Sequence, residues 1–256
     1  MPDKSEKQVN SDALMQWLNT PLGRYVRAWE HRQVSDLVAN VFGYHAVQLG
    51  MPHWDLLRGN RIGNKFYTSV QHCSETVRSN LLITEHEALP FAAQSVDLLI
   101  LPHVLECSAA PHQILREVDR VLRPDGTVVM TGFSPFSLWG LRERLPGMAP
   151  HLPIAPQHYI SLARINDWLE LLSFELQSAQ DGCFVPLCLQ RKWLKRWRFM
   201  DRFGSKVWWP IPGGSYVLKA VKRVNVMTLV GLEWSHQKTP AGRAAVAASQ
   251  RTLTKH

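Results

Sequence analysis

A short acid–histidine–acid run, Glu85-His86-Glu87, a histidine directly after an apolar run, His103, and a lone glycine at the end of another, Gly50, have the chemistry to hold or move a small molecule. A carboxylate accepts hydrogen bonds from an exocyclic amine or a hydroxyl. A histidine takes or gives a proton near neutral pH, which makes His103 the candidate acid–base residue. A glycine lets the backbone approach a ligand closely. Other chemistries are excluded by order. The GFSPFS stretch at 132–137 lacks the G-x-S-x-G arrangement of a nucleophile elbow, and no P-loop or zinc-hydrolase motif is present. Cys73, Cys107, Cys183 and Cys188 form no C-x-x-C pair, so they read as buried or incidental thiols and no metal is expected.

These residues need a scaffold. Residues 13–43 read as a helical region in two parts: Leu14, Trp17 and Leu18 form one short face, and Pro21 starts a second helix carrying Tyr25, Val26, Trp29, Val34 and Leu37. Ala46–Leu49 reads as a buried strand ending at Gly50. Phe66–Val70 and Leu81–Thr84 are further strands, with loop between Leu57 and Asn64. Ser95–Leu101 is an apolar strand of the kind covered on both faces of a parallel sheet. A helical stripe from Pro111 to Leu122, an Arg123-Pro-Asp-Gly126 turn and the strand Thr127–Thr131 then complete a βαβ unit. Ile160–Leu172 is helical, Phe174–Gln180 is strand-like, and Ser215–Val224 alternates as a half-exposed final strand.

The order EHEALPF, SVDLLILPHVLE, ILREVDRVLRPDGTVVMTGF resembles the class I S-adenosylmethionine-dependent methyltransferases of the type 11 family. From TPLGRY to SYVLKAVKR the chain is similar to a narrower bacterial YafS-like group. The resemblance implies an α/β Rossmann-like fold: a seven-stranded, mostly parallel sheet with helices on both faces and S-adenosylmethionine at the strand carboxyl ends. It implies that Glu85 accepts from the adenine amino group, that His86 supplies a backbone N–H, and that Glu87 and Leu89 border the ring. It also implies that Gly50, Met51 and Pro52 follow the cofactor, that Pro102 and His103 line the groove toward the acceptor, and that Tyr25 covers the site. Asp97, Glu117, Arg120 and the Pro124-Asp125-Gly126 turn match the family as structural residues.

Two departures stand out. The family's Gly-x-Gly-x-Gly becomes Gly50-Met51-Pro52-His53-Trp54, and its preceding acid becomes Gln48. No acid closes the second strand, Glu75 being a late substitute. Trp54 either fills the pocket or turns away.

The remaining expectations concern organisation. Residues 1–12 read as disordered, 13–224 as the methyltransferase-like domain, 185–212 as an insertion before the last strand, and 225–256 as a basic flexible tail. Within the insertion, seven of the 29 Lys and Arg fall between 191 and 206. On a helix, Trp193, Leu194, Trp197, Met200 and Phe203 oppose most of these charges, an amphipathic pattern suited to a membrane surface over 191–209, to a lid, or to solvent. No apolar run spans a bilayer and the polar start is not a signal peptide, so a cytoplasmic protein, membrane-associated at most at its surface, is expected. The net charge of +8 alone does not make nucleic acid an expected partner. Three functions follow: a methyltransferase acting on an apolar or lipid-like small molecule, a non-catalytic binder on the same fold, or a nucleic-acid-associated protein.

Overall fold

The computed structural model describes residues 12–70, 80–145, 151–187 and 212–223. The chain divides into a unit of Met1–Val224 and another of Asn225–His256, and the description below concerns the first. The expected ends at 1–12 and 225–256, the basic stretch at 191–209 and the ribose candidate Glu75 lie outside the described residues, apart from position 12 itself.

Seven strands among the described residues form one sheet: β1 (His45–Gln48), β2 (Asn64–Ser69), β3 (Leu81–Ile83), β4 (Val96–Pro102), β5 (Leu122–Phe133), β6 (Phe174–Gly182) and β7 (Ser215–Lys222). Their order is β3-β2-β1-β4-β5-β7-β6. The first five run parallel, and β7 is antiparallel to both β5 and β6.

Successive side chains of a strand point to opposite faces, and this alternation sorts the core in two. Ala46, Leu98, Ile100, Val129 and Val217 face Leu14 of α1 (12–18) and Leu22, Val26 and Val34 of α2 (Pro21–Val38). Val47, Leu99, Leu101, Val128 and Met130 face Ile114, Leu115 and Val118 of α4 (Pro111–Val121) and Ile165 and Leu169 of α6 (Leu162–Leu171). Two short helices, α3 (Val104–Cys107) and α5 (Leu138–Glu143), follow β4 and β5 at their carboxyl ends. The corner between α1 and α2 is sharp. Thr20 caps α2 by accepting from the Gly23 N–H at 3.1 Å, and a Cβ on Gly23 would lie 2.2 Å from the Trp17 carbonyl oxygen, so only glycine fits there.

Two expectations are corrected. The Arg123–Gly126 turn does not precede β5 but interrupts it. The ladder jumps from Val96–Leu122 to Leu98–Thr127, and residues 123–126 form a bulge whose Arg123, Pro124 and Asp125 are exposed, with Asp125 at φ 61°. The last strand is not half-exposed: β7 lies inside the sheet and is buried along almost its whole length. Its lysines made it look solvent-facing, yet both ammonium groups are spent on helix ends. Lys219 donates to the Leu37 carbonyl near the end of α2, and Lys222 reaches Asp119 at 2.8 Å and the Leu122 carbonyl beyond α4.

Candidate active site

The connection from β1 to β2, residues 49–63, contains turns and no helix, so side chains must fix its shape. Gln48 does this. Its amide nitrogen donates to the carbonyls of Gly50, Met51 and Trp54 at 3.2, 3.0 and 2.7 Å, and its oxygen accepts from the Leu56 N–H at 3.1 Å. An acid in this place could accept from Leu56 but could not donate to three carbonyls. Farther along, Asn60 donates to the carbonyls of Val38 and Val41 and ties the loop to the end of α2.

Gly50 has φ 68° and Met51 φ 48°, and the backbone there turns through the left-handed region. The bulk that replaces the family's glycines goes into the core. Met51 and Trp54 are buried with the α1–α2 cluster, and the Arg27 guanidinium lies 5.9 Å from the Trp54 ring centre. A Cβ on Gly50 would meet His86 Cε1 and Val104 Cγ2, each at 3.4 Å. Trp54 therefore turns away, and bare backbone at Gly50 faces the loop after β3 and the start of α3.

Of that loop, Glu85 is exposed and Glu87 is half-buried, where it accepts from the Ser108 hydroxyl at 3.1 Å. The His86 ring is enclosed beside Gly50. Burial lowers its pKa despite the nearby Glu87, so the imidazole is neutral, and its Nε2 has no hydrogen-bond partner among the described residues. Leu89 is buried in the α4–α6 core, and Phe91 packs edge-on to Phe66 with ring centres 5.8 Å apart. Arg120 on α4 pins this segment by donating to the Leu89 and Phe91 carbonyls, both at 2.9 Å, while Glu117 accepts from the Leu89 N–H at 3.1 Å. Asp97 likewise accepts from the N–H groups of Tyr44 and His45 and ties the entry of β1 to β4.

Pro102, the last residue of β4, is buried, and His103 follows with φ 52° and no solvent exposure. Its two ring nitrogens each meet a carboxylate. Nδ1 lies 2.9 Å from Glu106 Oε2, and Nε2 lies 3.0 Å from Glu30 Oε1 on α2. Burial alone would lower the imidazole pKa; the Glu30 and Glu106 carboxylates outweigh it and push it up to about 10. Ser215 at the start of β7 donates to Glu30 at 2.5 Å, and the Phe133 N–H donates to Glu106 at 2.6 Å. The aromatic rings of Phe133, Trp17 and Tyr159 pack around this cluster, with Phe133 4.4 Å from the His103 ring. Both His103 ring nitrogens are engaged by carboxylates in this arrangement, and the contact to Glu30 ties α2 to the sheet.

Gly50, His86 and Pro102 thus gather at the carboxyl edge of β1, β3 and β4, where ligands bind in open α/β sheets. Tyr25 is half-buried on α2 against the core that holds Met51 and Trp54, while Pro52 is buried within the loop. Glu30, Glu106 and Ser215 went unread in the sequence. One signal was there: Leu22, Val26, Glu30, Val34 and Val38 recur every fourth residue, so an acid sits on the buried stripe of α2. Thr131 Oγ1 and Tyr159 Oη are further buried polar atoms without partners among the described residues. Cys107 and Cys183 form no disulfide among the described residues, and burial pushes the Cys107 thiol up to about 12, which leaves it inert. No group of metal-binding side chains occurs among the described residues.

Comparison with known proteins gives the family and the fold. A family model described as a methyltransferase domain matches residues 59–130. The chain is 30% identical over 239 residues to YafS of Escherichia coli, an uncharacterized protein, covering 92% of this chain and 91% of that one. A solved chain from the complex of the Haloferax volcanii Trm112 methyltransferase activator with a protein described as a methyltransferase superposes with a TM-score of 0.56 at 17% identity, over 84% of this chain and 98% of that one. A S-adenosylmethionine-dependent methyltransferase from Archaeoglobus fulgidus gives a TM-score of 0.53 at 12% identity, over 78% and 94%. At such identities the likeness is one of fold.

Proposed function

From its membership of the type 11 methyltransferase family, in the group that includes YafS, we propose that this chain transfers a methyl group from S-adenosylmethionine to an apolar, lipid-like small molecule. The cofactor of the family supplies an electrophilic methyl carried on a sulfonium. The observation that carries the reading is the bare backbone of Gly50 beside His86, with Met51 and Trp54 turned into the core. The residues present fit the cofactor: Gly50 and Met51 would border it through their backbone, Glu85 would accept from the adenine amino group, and the neutral His86 would offer its unpartnered nitrogen.

The aromatic surroundings of the His103 cluster support an apolar acceptor, and Tyr159 and Thr131 offer hydroxyls that could orient it. The chain's own contribution to the reaction is alignment and exclusion of water. A second reading, a binder without turnover on the same fold, is favoured by the engagement of both His103 ring nitrogens by carboxylates.

Calorimetry with S-adenosylmethionine and S-adenosylhomocysteine decides first. The expected result is micromolar binding that Glu85→Ala weakens about tenfold or more, the scale of one charged hydrogen bond. No binding up to millimolar cofactor by a folded sample would reject both the cofactor site and the enzyme. Binding without turnover on any lipid or quinone acceptor would leave the second reading standing.

A further inference from the structure

We propose that the outer face of α5 is a docking surface for bilayers that carry anionic headgroups. The helix is fixed from within. Ser137 caps it by accepting from the Gly140 N–H at 3.1 Å, and Trp139, 2% exposed, donates from its ring nitrogen to the Val185 carbonyl at 2.7 Å. A Cβ on Gly140 would lie 2.5 Å from the Pro135 carbonyl oxygen, so this side of the helix sits hard against the chain. Turned outward are Leu138 and Leu141, spaced i, i+3 and hence on one face of the helix, with Leu145 just beyond its end and Phe136 just before the cap. They are 38, 59, 46 and 67% exposed, a concentration of large apolar side chains not matched elsewhere among the described residues.

The charges choose the partner. Arg142 and Arg144 border the stripe on either side, whereas Glu143 turns inward, 1% exposed, and accepts from the His151 N–H. The Arg142 side chain is 29% exposed and reaches His151 and Glu143, while Arg144 is exposed. An apolar stripe edged by arginines, with no outward acid on the same helix, complements an apolar interior under a negative surface. The net charge of +8 adds long-range attraction to such a surface.

The position gives the surface a use. Only residues 134–137 separate α5 from Phe133, whose ring packs on His103. Docking would bring the carboxyl ends of β4 and β5 beside the lipid phase where an apolar acceptor resides. That use rests on the proposed acceptor class; the docking itself does not.

The test is co-sedimentation of the full chain with phosphatidylcholine vesicles, with and without phosphatidylglycerol. Wild type should sediment with the anionic vesicles and weakly with the neutral ones. A Leu138→Asp/Leu141→Asp double variant should cut the bound fraction about tenfold, as expected for losing two partly inserted leucines. Arg144→Glu should reduce the preference for phosphatidylglycerol, and both variants should bind S-adenosylmethionine as wild type does. Three results would overturn the proposal: no sedimentation of wild type with anionic vesicles, sedimentation of the double variant equal to wild type, or a wild-type dimer in light scattering that the double variant splits. Vesicle binding by a protein that ignores S-adenosylmethionine would sink the enzymatic reading and leave this one intact.

Discussion

Glu30 is the carboxylate with the most to lose. It has no solvent exposure and meets only His103 and Ser215 in the hydrogen bonds described for it. Glu30→Ala would leave the His103 imidazolium with one buried partner and a void, and thermal or urea unfolding should register a loss of about 3–5 kcal/mol. The same cluster sets a pH dependence. His103 titrates near its ordinary 6.5 in the unfolded chain and at about 10 in the folded one, so its contribution to stability is complete below 6.5 and is lost as pH rises through 10. Melting temperature should therefore fall from neutral to alkaline pH, and His103→Gln should flatten that fall; an equal alkaline decline in the variant would assign it to other groups. In the sequence, His103 was legible as a special position because it follows an apolar strand. Its role was not, because one of the two carboxylates that hold it, Glu30, lies 73 residues away.

Two elements position the site, and both are loops held by single side chains. Gln48 satisfies four backbone groups of residues 50–56. Gln48→Leu should cost about 1–3 kcal/mol for the groups left unpaired, and hydrogen exchange should speed up at Leu56 before it does in the strands. Arg120→Ala should free the Leu89 and Phe91 carbonyls, loosen residues 85–91 and weaken cofactor binding several-fold with little change in global stability. Unaltered exchange there would deny Arg120 that task. The acid–Leu-Pro-Phe–strand–helix order made this half of the site readable, since its partners lie within 36 residues, from Glu85 to Arg120. The glycine-poor loop was readable only as a departure. Whether Trp54 fills the groove or the core depends on α2, and periodicity in the loop carries no record of that packing.

At the scale of the whole sheet, β3 and β4 were legible because each is apolar and bounded by turns, whereas β2 begins on Asn64 and Lys65 and was legible only from Phe66 on. The family resemblance supplied seven strands. The weak point was β7, whose two lysines suggest exposure but end on carbonyls at the ends of α2 and α4. Its place between β5 and β6 has a consequence for how the molecule comes to exist. Glu30 and Ser215 are 185 residues apart in the chain, and the two must meet before α2 is locked down. Long-range pairing of this kind slows folding relative to locally wired domains. On the ribosome, β1 to β5 can be complete while β6 still lacks the strand that joins it to them and Glu30 still lacks a hydroxyl. Refolding followed by Trp17 and Trp29 fluorescence should accordingly show a late phase on the scale of milliseconds to seconds, and a chain stopped before Ser215 should remain a client of chaperones rather than a smaller version of the same protein.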